Sequence, residues 1–283
     1  MPSALVLDTD IGSDVDDALA LATILGSPEL ELAGVTTVYG DVVLRARMVA
    51  RVAAVAGREV GPVVPGRGEP RSGPEVWWAG HEGVLMPDLD KEQVSEDVDP
   101  IGLLAGAATV MPVGPLTNVA EALERPGQAI EQLYLMGGNF SQPDAEHNIR
   151  CDVAAAAAVF DSGVPITAVG IDQTQRVRFD HAVVARIEAA GALGELLGAE
   201  MRQFWKFTAT ESNAPHDPTA VLVLVEPELF TFSTGRVEVD LEGVTRFTQD
   251  AGGPHRIVTD LDPAKVARRI ESRILAACEK QSD

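Results

Sequence analysis

The feature that most limits how this chain can fold is a repeating alternation. Short apolar or β-branched runs of strand length are separated by longer, alanine-rich stretches with helical period. The strand-like runs are 4–7, 31–38, 62–64, 108–113, 133–136 and 166–170. Helical segments fall near 17–26, 43–56, 98–107, 117–124 and 153–162. Strands joined through helices run parallel, and helices on both sides bury both sheet faces. The expected fold is therefore α/β, an open, mostly parallel central sheet with helices on both faces. After Asp172 the rhythm changes, predicting a C-terminal helical and β extension: helices near 180–190 and 192–208, a polar loop at 209–216 and a helix through about 226. Strands at 232–241, 246–249 and 256–259 and a closing helix over 262–279 complete it. With 283 residues, 46% of them hydrophobic, the chain can fill one large core, and residues 1–283 are read as a single domain. Residues 66–97, rich in Pro and Gly, are the least regular stretch, the kind of long loop that tends to carry function.

Charge and cysteine content narrow the function classes. Forty-three acidic against 22 basic residues give a formal charge of -21, which repels phosphate backbones and argues against nucleic acid as a partner. Cys151 and Cys278 form no CxxC pair and are read as reduced thiols. No apolar run approaches the length of a membrane span, and the start of the chain lacks a basic, apolar leader, so a cytoplasmic location and no membrane partner are expected.

The acidic excess is concentrated at one place. Asp8-Thr-Asp-Ile-Gly-Ser-Asp-Val-Asp-Asp17 holds five carboxylates in ten residues and runs directly into Ala-Leu-Ala-Leu-Ala. Strand alternation puts Asp8 and Asp10 on one face at a strand's carboxyl end, Gly12 turns the chain, and Asp16 and Asp17 open a helix. That edge of an open α/β sheet is where ligands bind. Helix capping and a solvated turn account for two or three of these acids. Five so close repel one another unless a cation neutralises them, and hard oxygen donors select calcium or magnesium. Two acids one residue apart at the first strand end also occur in haloacid dehalogenase-type phosphatases, but here no lysine falls near a strand end to assist phosphoryl transfer.

Four further segments occur in order: Thr36-Thr-Val-Tyr-Gly-Asp41, Pro112-Val-Gly-Pro-Leu-Thr-Asn118, Leu135-Met-Gly-Gly-Asn139 with Ala145-Glu-His-Asn148, and Pro215-His-Asp-Pro218. With the acidic loop, they make the chain resemble the calcium-dependent nucleoside hydrolases, the inosine-uridine-preferring N-ribohydrolases, over nearly its whole length. The resemblance implies a Ca2+ site built by Asp10, Asp17, Asp217 and the carbonyl of Val113, with Asp16 as general base. It also implies a nucleoside substrate, free base and ribose as products, and a homodimer or homotetramer. The acidic loop is two residues longer than the family's commonest form. Counting from the strand would put Val15, which has no side-chain oxygen, in a ligand position. Counting back from the helix keeps Asp16 and Asp17 and leaves Asp14 as an extra carboxylate. Glu146 and Asn148 match a Glu-x-Asn grip on ribose hydroxyls, Asn139 adds a sugar contact, and Asp152 is read as a helix cap.

His216 precedes a metal-ligand position and is the expected acid for the leaving base. His81 matches a histidine on the family's mobile loop, at the base pocket, and Trp77, Trp78, Phe204 and Trp205 are candidates for stacking on a base, with core packing as the default for such aromatics. One departure stands out: the segment after the second strand usually ends in Asn, and here it ends in Asp41, a fixed anion beside the ribose. That departure motivates a rival reading, a calcium-dependent nucleoside- or ribose-binding protein without turnover.

Overall fold

The structure, a computed structural model, describes residues 2–279. The chain begins with β1 (Ser3–Thr9), α1 (Asp16–Leu25), β2 (Leu30–Thr37), α2 (Val42–Ala56) and β3 (Val63–Pro65). It returns through α3 (Pro100–Ala105), β4 (Thr109–Pro112), α4 (Thr117–Leu123), β5 (Gln132–Met136), α5 (His147–Cys151), α6 (Val153–Asp161) and β6 (Ile166–Val169). Then come α7 (Ile171–Thr174), α8 (His181–Glu188), α9 (Ala192–Thr208), α10 (His216–Val225), β7 (Phe230–Val239), β8 (Thr245–Gln249), β9 (His255–Leu261) and α11 (Pro263–Cys278). The strands form one nine-stranded sheet in the order β3-β2-β1-β4-β5-β6-β9-β7-β8. Every pairing from β3 to β9 is parallel, and β7 alone runs against its neighbours.

Strand alternation sorts the core into two layers. Leu5 and Leu7 of β1, Met111 of β4 and Val169 of β6 pack with the helices α1, α2, α8, α9, α10 and α11. Val6, Val110, Leu133 and Ile166 point the other way, against α3, α4 and α6. The C-terminal extension joins the same sheet, because β9 pairs in parallel with β6. Two one-turn helices, α5 and α7, escape the sequence periodicity because each is too short to repeat it. Residues 66–97 hold a single 3₁₀ turn at Leu89–Lys91 but are fastened to the body. The buried Asp152 caps α6 at Ala155 N–H and also accepts hydrogen bonds from Arg71 N–H, Ser72 N–H and the Thr117 hydroxyl.

Helix α1 is buried on all sides, which explains its alternating Ala and Leu: small residues let α2, α10 and α11 approach it together. Its C-terminal Gly26 lies against α11, where a Cβ would come within 1.8 Å of the Arg273 carbonyl oxygen. Gly26→Ala is therefore expected to lower stability by about 1–3 kcal/mol, read as a thermal midpoint lower by a few degrees.

Candidate active site

The chain runs from β1 outward to β2 and β3, then crosses back to lay β4 on the other side of β1. The carboxyl ends of β1 and β4 flank this switch of direction, where open α/β sheets leave a crevice. Asp8 sits in register with Thr36 and Pro112 and is fully buried. Its carboxylate accepts from the Thr36 hydroxyl at 2.6 Å and Asn118 Nδ2 at 2.8 Å, knitting β1, β2 and α4 beneath the crevice. Burial pushes its pKa up to about 7.

Beyond Asp8 the chain turns at Gly12, whose φ of +124° suits glycine, and Asp16 and Asp17 open α1. Helix α10 packs along α1 and presents Asp217 in its own first turn, so two helix N-termini meet with their acids face to face. The partial positive charge of those termini favours carboxylates there. Oxygens of Asp16, Asp17 and Asp217 lie within 4.8 Å of one another, and all three residues are buried. No ion pair among the described residues reaches them, Asp10 or Asp14. Burial, reinforced by mutual repulsion, holds Asp16, Asp17 and Asp217 well above the ordinary carboxylate range and takes Asp14 to about 7. A buried, oxygen-only donor set with no basic side chain paired to it among the described residues fits a hard divalent cation.

A cavity of about 260 Å³ opens on this cluster. Val113 follows β4, and its carbonyl accepts from Asn148 Nδ2 at 2.8 Å. Glu146 caps α5, accepting from the N–H groups of Asn148 and Ile149, and also from Gly138 N–H. His216 Nδ1 pairs with the Thr174 hydroxyl at 2.6 Å, and burial, with a smaller push from Arg178, lowers its pKa to about 4. Trp77, His147 and Phe204 form an aromatic wall, with Trp77 and His147 edge to face at 5.9 Å.

The fold thus gathers Asp10, Asp14, Asp16, Asp17, Val113, Glu146, Asn148, His216 and Asp217 around one cavity, together with Trp77 and Phe204. It does not bring Asp41, His81 or Asn139 to the lining. Asp41 is exposed and caps α2 through Leu44 N–H. His81 lies behind the acidic loop, its Nε2 donating to the Ser13 carbonyl at 3.0 Å and its ring edge-on to Phe207 at 4.9 Å. Asn139 is buried beside Thr245, with its side-chain oxygen accepting from Gln142 N–H. Of the remaining aromatic candidates, Trp78 stacks under the Arg45 guanidinium and Trp205 packs in the core. Sequence reasoning missed Ser13, Met136, His147 and Ile171 in the lining; the first three lie inside the quoted motifs, and Ile171 carried no signal.

The raised carboxyls make stability depend on pH. A carboxyl lifted from 3.8 to about 7, as at Asp8 and Asp14, favours the metal-free fold most below about pH 4, and that contribution is lost as pH rises through about 7. The carboxyls of Asp16, Asp17 and Asp217 are raised in the same direction, and a divalent cation competes with their protons. The rise in thermal midpoint on adding the cation is expected to be small near about pH 5 and to grow toward about pH 8. Differential scanning of chelated and cation-loaded protein measures it, and the subtraction removes groups remote from the cluster.

The comparisons with known proteins agree with this geometry. A sequence model of the inosine-uridine preferring nucleoside hydrolase family matches residues 5–268. Uridine nucleosidase 1 of Arabidopsis thaliana is 30% identical over 267 residues, covering 85% of this chain and 79% of the relative. The non-specific ribonucleoside hydrolase RihC of Shigella boydii is 31% identical, covering 84% of each. Among solved structures, the plant nucleoside hydrolase PpNRh1 superposes with a TM-score of 0.84 at 26% identity, over 97% of this chain and 99% of its own. The purine-preferring ribonucleoside hydrolase from Gardnerella vaginalis gives 0.83 at 25% identity, over 98% and 99%. With its motifs spread over the whole chain and its acids gathered at one sheet edge, the protein belongs to the inosine-uridine preferring nucleoside hydrolase family and is a nucleoside hydrolase.

Proposed function

We propose that the protein uses calcium to hydrolyse the N-glycosidic bond of ribonucleosides, releasing free base and ribose. The observation that carries the reading is the meeting of Asp16 and Asp17 with Asp217 in a cavity that also holds a histidine, a Glu-x-Asn pair and an aromatic wall. Asp10, Asp17, Asp217 and the Val113 carbonyl would hold the ion. When bound, calcium supplies the charge that lets these acids stay ionised together and a Lewis-acid anchor for ribose oxygens.

The other steps fall to the chain's own groups. Asp16 takes the proton of the attacking water as general base. Glu146 and Asn148 fix the ribose hydroxyls, so that the sugar is held in one orientation. The carboxylates around the ring favour the positive charge that develops on it as the bond to the base lengthens. His216 is neutral at working pH. A neutral imidazole gives a hydrogen bond and keeps its proton, so His216, placed by the Thr174 hydroxyl, orients the departing base, which takes its proton from solvent. Trp77 and Phe204 offer flat faces to that base. Named relatives include both uridine- and purine-directed enzymes, so the substrate panel must hold both classes.

The rival reading, binding without turnover, was motivated by Asp41, whose side chain is engaged as the cap of α2. It predicts calcium-dependent nucleoside binding with no base released. A role in nucleobase salvage in the cytoplasm, a single cooperative domain and a homodimer or homotetramer complete the proposal. Light scattering reads the oligomer, and the described residues contain no helix long and apolar enough to cross a membrane.

Chromatography of purine and pyrimidine ribonucleosides after incubation is expected to show base release with calcium and none after chelation. Asp16→Ala is expected to lower kcat by about 10²–10⁴, with the protein still folded by circular dichroism. His216→Ala is expected to lose about 10² on natural nucleosides and far less on 4-nitrophenyl riboside, whose leaving group departs without a proton. Equal losses on both substrates would remove His216 from any role at the leaving base.

A further inference from the structure

Two buried residues outside the reaction scheme hold the acidic loop from behind. Arg45 of α2 is fully buried, and its guanidinium donates to the backbone carbonyls of Asp10, Ile11 and Tyr39 and, at 3.3 Å, to the Ser13 hydroxyl. It donates to none of the carboxylates. Glu82, also buried, accepts from Ala79 N–H at 2.8 Å and Gly80 N–H at 2.7 Å, closing the turn 77–82 that begins with Trp77 and Trp78. The same carboxylate accepts from the Ser13 hydroxyl at 2.8 Å. Ser13 therefore receives from Arg45 and gives to Glu82, and is the one side chain of the acidic loop tied to the aromatic turn.

The surroundings leave this link little slack. His81, inside the turn, donates to the Ser13 carbonyl. A Cβ on Gly12 would meet Met48 Sδ at 2.9 Å and Glu82 Cγ at 3.4 Å. Trp78 lies under the Arg45 guanidinium at 4.8 Å. Tyr39, held at a positive φ of 68°, accepts from Trp77 N–H at 2.8 Å through its hydroxyl and from Arg45 through its carbonyl. A shift of the turn is thus felt at Ser13, and a shift of the loop is felt at Trp77.

We propose that Glu82 is a positioning residue acting through Ser13: it ties the aromatic turn 77–82 to the carboxylate loop 10–17, so that a cation on the loop and a nucleoside against Trp77 each favour the other. The proposal rests on the calcium reading given above. Reciprocity follows from linkage, since whatever the cation contributes to seating the turn, the seated turn returns to the cation.

The test is calcium titration of nucleoside-free protein, followed by calorimetry and by tryptophan emission. Two of the three tryptophans stand in the turn, while Trp205 is buried in the core and supplies a constant background. In the wild type, calcium binding is expected to shift the emission. Ser13→Ala is expected to bind calcium about tenfold more weakly, the scale of one lost buried hydrogen bond, and to lose the emission shift. Ser13→Thr, which keeps the hydroxyl, restores both, and Glu82→Ala repeats the loss. In turnover, Ser13→Ala raises KM more than it lowers kcat. A Ser13→Ala protein that keeps wild-type affinity or the wild-type emission shift overturns the proposal, as does wild-type binding with no shift. A wild type that binds no calcium overturns the calcium reading, and the link with it. Melting of the metal-free variants shows whether each folds; if Ser13→Ala does not, Glu82→Ala carries the same test.

Discussion

Repulsion among buried carboxylates is the interaction around which this protein is built. Among the described residues no basic side chain is paired to Asp16, Asp17 or Asp217, and the burial of each raises the cost of ionising the next. The fold offsets part of that cost with backbone charge: the acids sit in the first turns of α1 and α10, at the positive ends of the helix dipoles. The remainder is left for a cation. An arginine within the cluster would have settled the charge permanently and occupied the place of a ligand; Arg45 instead stands behind the loop and donates to its carbonyls.

Bringing two helix N-termini together dictates much of the rest. Helix α1 must lie against α10 along its length, which is why it is buried all round and made of Ala and Leu, and why Gly26 ends it where α11 crosses. The sheet then needs its change of direction beside β1, so that Val113 at the end of β4 lines the same cavity as the acids that follow β1. The aromatic wall comes from segments remote in sequence, the turn after β3, the helix α5 and the end of α9, which the parallel strand order delivers to the same edge.

What was legible in the sequence follows from this division. The strands and helices that fill the two core layers carry apolar periodicity, so the βαβ rhythm up to β6 could be read directly, as could the acidic strand end and the His216–Asp217 pair, whose residue types have few purely structural uses side by side. The one-turn helices α5 and α7 carry no period. Arg45 and Glu82 were invisible for a different reason: each is a charged residue in an unremarkable local pattern, and only tertiary placement makes it buried and fully bonded. Asp41 shows the converse. Its place at the end of a motif pointed to the ribose, yet it also immediately precedes a helix, and capping α2 engages the carboxylate first.

The length of the acidic loop is accommodated by the same logic. Asp10 is set by the end of β1, and Asp16 and Asp17 by the packing of α1 on α10, so neither boundary can move without disturbing the sheet or the helix pair. The residues between them must turn, and the turn begins at Gly12, whose positive φ permits it and whose missing side chain leaves room for Met48 and Glu82. Ser13 and Asp14 stand on that turn. One reaches back to the aromatic turn through Glu82, the other adds a carboxylate to the cavity wall. The loop thus keeps Asp16 and Asp17 beside Asp217 and is tied through Ser13 to the turn that carries Trp77.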